Sequence, residues 1–252
     1  MNPWLEDFFA RMQPFLLGAS SVEAVEAALG PSPSGTESLD FYRILLERNY
    51  FKIMKALFPT IRTVALTIDE ELWGTLVREY VREHPTRGCR DPNLMGVGFS
   101  DWLARRREDA SVEGPKYPAL LEELAEYHWI DYMAGVAPDT DDDGFEKRIF
   151  VRQFTYHMPK AVKRLRKAEA EGTEVKLPKK KPNVLVLYRS WKDDKVKVLF
   201  PTNETLAVFA RRQGLELPPP LAQLDSDAVG ATESSLVDMG VLRERQDSTE
   251  TA

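Results

Sequence analysis

The 252-residue chain is poor in the residues from which covalent and metal-centred sites are usually built: it has one cysteine, Cys89, and three histidines, His84, His128 and His157. A single cysteine excludes an intramolecular disulfide and a thiolate cluster made by this chain alone, and points to a reducing compartment. Neither His-x-x-x-His nor His-Glu-x-x-His is present, so the common zinc spacings are excluded as well. No Gly-x-Ser-x-Gly, Walker or dinucleotide fingerprint occurs. No apolar run approaches the roughly 18 residues of a membrane span. Met1 to Leu17 contains Trp4, Glu6 and Asp7 and lacks a basic leading region, so it does not read as a signal peptide, and the expected location is cytoplasmic. What is present is ordinary for a globular protein: 43% hydrophobic, 10% aromatic and 29% charged residues.

An excess of positive charge is also absent from the total, which is −6. That sum hides a strong segregation. Residues 1–146 carry 14 Lys+Arg against 26 Asp+Glu, residues 147–212 carry 18 against 6, and residues 213–252 carry 2 against 8. An acidic half is thus joined to a basic middle, a pattern that points to a polyanion or an acidic surface as partner.

Apolar spacing divides the chain further. Leu5, Phe8, Phe9, Met12, Leu16 and Leu17 predict a helix that Pro14 bends or ends early, and Val22 to Leu29 predicts a short second one. After the loop Gly30 to Gly35, Ser38 is expected to cap a long helix carrying Leu39, Tyr42, Leu46, Tyr50, Ile53 and Leu57 and ending at Phe58-Pro59. Thr67 to Glu70 matches a capping box for a helix that stops at His84-Pro85. Helices are further expected over 99–107 and from Pro118 to about Gly135. Asp139 to Gly144 reads as an acidic linker; it resembles a calcium loop only superficially, because the twelfth position is Phe150 and not a glutamate.

Beyond the linker the period changes. Ile149 to Tyr156 suits a strand, Ala161 to Ala170 a basic helix, and Val184 to Tyr188 with Val196 to Phe200 a hairpin turning at Lys192 to Lys195. Asn203 is the expected cap of a helix ending near Gly214, and short helices are expected at Leu221 to Leu224 and Thr232 to Met239. The predicted fold is mainly α: a helical domain over 1–138, an acidic linker over 139–147, a basic α+β domain with a β-hairpin over 148–244, and a frayed tail over 245–252.

Each reactive residue type has a plain structural role available. His84 suits a helix C-terminus, where the helix dipole favours a cation, and His128 lies on the apolar stripe of its helix. Cys89 lacks a suggested His and Asn partner. No catalytic or metal-binding constellation emerges. The informative feature is the basic run of Lys160, Lys163, Arg164, Arg166, Lys167, Lys176, Lys179, Lys180 and Lys181, which suits a phosphate backbone, an acidic protein surface, or simply a solvated face. Val184 to Arg189 is read as an edge for strand addition by an extended peptide.

Several N-terminal motifs carry a family resemblance. Tyr42-Arg43, Arg48-Asn49-Tyr50, Ala56-Leu57-Phe58-Pro59-Thr60, His84-Pro85, Gly98-Phe99 and Trp102-Leu103 resemble a DNA-binding-domain family. Its members include accessory subunits of multinuclear iron-dependent oxidases in ribosomal-peptide maturation, such as the methanobactin biosynthesis partner protein. Val184 to Arg189 and Leu206 to Gly214 are similar to that family's second domain. The resemblance implies a non-catalytic partner and substrate-recognition subunit, with iron held by the oxidase and none in this chain. On that reading Tyr156, Arg189 and Trp191, backed by Arg152 and His157, contact the oxidase or the precursor peptide. The rival expectation is a DNA-binding transcriptional regulator that grips phosphate through Lys160 to Lys181.

Overall fold

The computed structural model describes residues 3–17, 20–31, 35–84, 91–111 and 113–244. Eleven α-helices and one three-stranded antiparallel sheet account for the regular structure among them, so the fold is mainly α with a small α+β part. Two compact units form, Met1–Glu126 with Val162–Leu177, and Tyr127–Ala161 with Pro178–Ala252. The division falls within two helices, α7 (Leu120–Val136) and α8 (Met158–Glu171).

The first unit starts with α1 (Pro3–Leu16), α2 (Val22–Leu29) and α3 (Thr36–Leu57). Helix α1 continues through Pro14 for two more residues, and Phe15 is fully buried with Met12 against Val25 of α2. Helix α3 starts two residues before Ser38 and follows Gly35, whose φ of 83° turns the chain into the helix, so Ser38 occupies the first turn and is not the cap. At the far end Phe58 terminates α3, and Pro59 opens α4 (Pro59–Ile68) at a position where the missing N–H costs nothing.

Helix α4 has no counterpart in the predicted elements. Its Thr60 and Thr63 are buried with Ile61, Val64 and Ala65 while Leu66 is exposed, so polarity does not follow burial as periodicity requires, and its β-branched residues are weak helix formers. The expected capping box is accordingly overturned. Thr67 sits in the last turn of α4 and its hydroxyl donates to the Val64 carbonyl at 2.7 Å. Asp69 instead makes a local turn, its carboxylate accepting from the Glu71 N–H at 2.8 Å, and α5 (Leu72–Glu83) follows Glu71 without a side-chain cap.

Phe58, Tyr80, Phe99 and Trp102 form the aromatic centre of this unit, with α6 (Phe99–Glu108) supplying the last two. Each polar tip finds a partner: the Tyr80 hydroxyl donates to Val97 at 2.5 Å and the Trp102 indole to Glu83 at 2.7 Å. His84 stacks on Tyr80 at 4.6 Å between centroids. Pro85 and Cys89 lie outside the described residues.

In the second unit the sheet order is β1 (Ile149–Phe154), β2 (Asn183–Arg189), β3 (Val196–Leu199). Val151 pairs with Val186, and Leu187 pairs with Val198. β2 is therefore the central strand. The expectation that Val184 to Arg189 offers a free edge is overturned, because β1 and β3 occupy its two sides. Val186 and Tyr188 join Ala207, Val208, Phe209, Val229 and Leu236 in a core under α9 (Asn203–Arg212) and α11 (Ser226–Asp238), with the short α10 (Pro219–Ala222) between those helices. Thr202, not Asn203, caps α9, since its extended backbone lets its hydroxyl accept from the Thr205 N–H at 3.3 Å.

Within residues 139–147, Asp139, Asp141, Asp142, Glu146 and Lys147 are exposed, as an acidic linker predicts, but Asp143 and Gly144 are not. Asp143 is buried, accepting from the Arg243 N–H at 2.8 Å and pairing with Arg212 at 3.4 Å. Their carboxylates neutralise arginines of the second unit, which draws the segment into it. No helix among the described residues is long and apolar enough to cross a membrane.

Candidate functional site

Four of the five expected contact residues lie at opposite ends of the sheet, and the fifth, Arg152, lies within β1 opposite Leu185. Arg189 ends β2 and Trp191 follows it, beside the start of β1. Tyr156 and His157 follow the end of β1, beside the start of β2 and the end of β3. About six residues of strand, roughly 20 Å, separate the two groups.

At the first end the organising residue is Arg148, which sequence reasoning did not single out. Its side chain is fully buried, with its guanidinium 3.7 Å from the centroid of the Trp191 ring. It bonds Asp139 at 2.7 Å and Asp194 at 3.2 Å, both exposed carboxylates. Arg243 approaches the same indole at 5.1 Å and donates to the Thr140 carbonyl at 2.6 Å. Arg189 donates to the Ala137 carbonyl at 2.5 Å and pairs with Asp194 at 3.2 Å. Arg212 completes the network through Glu233 at 2.6 Å. Four arginines thus face Asp139, Asp143, Asp194 and Glu233, a balanced set whose evident task is to hold the turns together. Within these turns the Thr140 hydroxyl, followed by the Gly144 N–H, keeps the Asp142 carboxyl below its ordinary pKa. The Lys197 ammonium, 2.9 Å away, does the same for Asp193.

At the other end Tyr156 is buried, and its carbonyl accepts from Asn183 at 3.1 Å. The His157 ring lies 4.9 Å from that of Phe200. Arg152 projects from β1 and holds Glu146 in a two-pronged contact at 2.9 and 2.6 Å.

Beside Phe200 the sheet has an open edge. β3 has no strand partner on the side away from β2 among the described residues. Next to it Leu199, Phe200, Leu236 and Met239 line a cavity of about 240 Å³ whose polar contributions are hydroxyls, from Thr202, Thr205, Thr232 and Ser235. Phe200 is 48% and Met239 45% exposed, so the apolar lining reaches solvent. The alternation Val196-Lys197-Val198-Leu199 is the sequence signal for this strand, but it does not tell an edge from a centre.

The basic residues form two groups. Lys160, Lys163, Arg164 and Lys167 fall at i, i+3, i+4 and i+7 on α8, a row about 10 Å long on one exposed face, with Arg166 exposed to one side. Lys167 makes only a loose contact with Glu171 at 3.8 Å. Arg164, Lys167 and Lys176 line a shallow hollow of about 300 Å³ together with Glu171, Glu174 and the apolar Leu165, Ala168 and Val175. Lys179, Lys180 and Lys181 are exposed in the extended approach to β2, where the Lys181 N–H is tied to the Thr155 carbonyl at 2.8 Å.

Among the described residues no group of three or more His, Cys, Asp or Glu side chains stands close enough to hold a metal ion. His128 is buried, with its ring edge-on to Tyr127 at 6.0 Å. No protein-family model matches the chain, and no curated protein matches it.

Proposed function

We propose that this protein is a non-catalytic partner and substrate-recognition subunit of an iron-dependent oxidase that modifies a ribosomally made precursor peptide. The carrying observation is the open edge of β3 with its adjoining cavity. Unpaired main-chain groups at a sheet edge add an extended peptide through hydrogen bonds, and pockets beside the edge select its alternate side chains. Phe200, Leu236 and Met239 would take an apolar side chain, while the exposed Lys195 at the turn favours an acidic neighbour, Lys197 being paired with Asp193. The iron belongs to the oxidase. Of the five residues that the family resemblance suggests, His157 stands next to this edge through its ring contact with Phe200.

Co-expression with the neighbouring oxidase and its precursor peptide tests the proposal. Co-purification of the two proteins is expected, with titration of the peptide into the complex giving saturable binding that Phe200→Glu weakens at least about tenfold, roughly 1.4 kcal/mol. A chain that elutes alone, or a Phe200→Glu variant that binds the peptide normally, would overturn it. The second reading, a DNA-binding regulator, is favoured by the cation row on α8. If its four cations meet four phosphates, log affinity for duplex DNA falls against log salt with a slope of about −3.6.

A further inference from the structure

The groove between α3 and α5 lies wholly on the first unit, whereas the β3 edge belongs to the second. Ile44, Tyr50 and Phe51 of α3 face Val77 and Val81 of α5 across it, and Leu16 and Leu17 close one side. Its volume is about 220 Å³. Pockets that enclose a whole small-molecule ligand run from about 300 to 1,000 Å³. The space here fits one or two large side chains, which is what a protein partner anchors in a groove.

The apolar surface continues beyond the groove. Phe41, Ile44 and Leu45 are 60%, 46% and 43% exposed, at i, i+3 and i+4 of the same helix. Scattered exposed apolar residues are normal on any protein, but three adjoining ones next to an apolar groove form a patch.

Charge decides the kind of partner. Arg43, Arg78 and Arg82 rim the groove, and Arg48 follows one turn along α3 from Ile44. Arg48 and Arg82 are exposed and make no ion pair among the described residues. Arg43 pairs with Asp40 at 2.9 Å and Arg78 with Glu47 at 3.1 Å, with all four side chains 38–47% exposed. Pairs this open are worth at most about 1 kcal/mol and exchange readily for other carboxylates. Four guanidiniums against two carboxylates make this face cationic, although residues 1–146 as a whole carry 14 basic against 26 acidic side chains. Arginine in particular presents a planar fork that meets a carboxylate with two bonds. The α3 wall runs from Arg43 to Phe51, about 12 Å, or two helical turns.

We infer that the α3–α5 groove docks an acidic amphipathic helix of a partner protein, its apolar side chains entering between Ile44, Phe51, Val77 and Val81 and its carboxylates meeting Arg43, Arg78 and Arg82. The groove takes two apolar anchors, at i and i+4 on the incoming helix, and a third at i+7 rests on the adjoining exposed surface of Ile44 and Leu45.

The test uses the full chain and a fluorescent, helix-forming peptide of about four turns, with leucines at i, i+4 and i+7 and glutamates on its other faces, read by anisotropy. A second peptide carries lysine at every glutamate position. Saturable binding of the acidic peptide is expected, about tenfold weaker or worse for Ile44→Glu and for Arg82→Glu, and unchanged for Arg105→Glu/Lys116→Glu, exposed in the first unit away from the groove lining. Both groove positions are solvent-exposed, and circular dichroism checks that the variants fold. Absence of saturable binding, equal binding of the lysine peptide, insensitivity to both groove variants, or loss of binding in the Arg105→Glu/Lys116→Glu variant would each overturn the inference. So would preferential capture of Ile44-bearing protein by anionic lipid vesicles with no binding of the acidic peptide.

Discussion

Arg148 shows how a buried charge can be held by partners that are themselves in water. Its side chain is 0% exposed, whereas those of Asp139 and Asp194 are 85% and 64% exposed. Deleting the arginine strands no buried carboxylate, because both aspartates simply return to solvent. What is lost is packing: the guanidinium lies flat on Trp191 at 3.7 Å, and truncation opens a void under that ring. Deleting both carboxylates is the opposite case, since it leaves a cation buried without a counter-charge, which costs about 3–5 kcal/mol. The two effects separate by substitution. Arg148→Ala is expected to lower the urea midpoint strongly, Arg148→Met to recover most of the loss by refilling the volume, and Asp139→Asn/Asp194→Asn to destabilise by about 3 kcal/mol or more. If Arg148→Met unfolds as readily as Arg148→Ala, the charge and not the packing on Trp191 holds these turns.

At the scale of elements, the legible parts were those with a polar face. Val22 to Leu29 was readable at both ends because its alanines and glutamates alternate with Val22, Val25 and Leu29, and α3 was readable at Leu57 because Phe58-Pro59 stops it. Helix α4 was not, since it buries Thr60 and Thr63 and exposes Leu66, which blurs the contrast that a 3.6-residue period needs. Pairing was illegible for a different reason. Nothing local to Val184–Tyr188 says that β1, separated from it by the whole of α8, closes its second edge. The partners of Asp143 were illegible for the same reason, because its arginines come from 69 and 100 residues further on. The same gap between local match and observed partner makes a clean test at α9. Two neighbouring residues, Thr202 and Asn203, are both good cap types, and only the first has the extended backbone that a cap requires. Thr202→Ala is expected to cost about 1 kcal/mol in chemical denaturation and Asn203→Ala only a few tenths. Equal losses would return the cap to Asn203.

For the whole molecule, the net charge of −6 describes no surface that a partner meets. At about 0.1 M salt the Debye length is near 10 Å, comparable to the cation row on α8, so a polyanion at that helix feels Lys160, Lys163, Arg164 and Lys167 far more than any charge beyond that distance. Total charge and placed charge therefore predict different chromatography. An acidic protein of sequence pI about 5.3 would pass through a heparin column at pH 7 if the sum governed. Retention is expected instead, because only the local field matters at contact. Two double variants isolate the cause, since each removes two cations and adds two anions. Lys163→Glu/Lys167→Glu, on the row, is expected to abolish retention. Arg105→Glu/Lys116→Glu, exposed elsewhere in the first unit, is expected to leave the elution salt nearly unchanged. Equal losses from the two variants would mean that the sum of charge, and not its position on α8, sets the interaction.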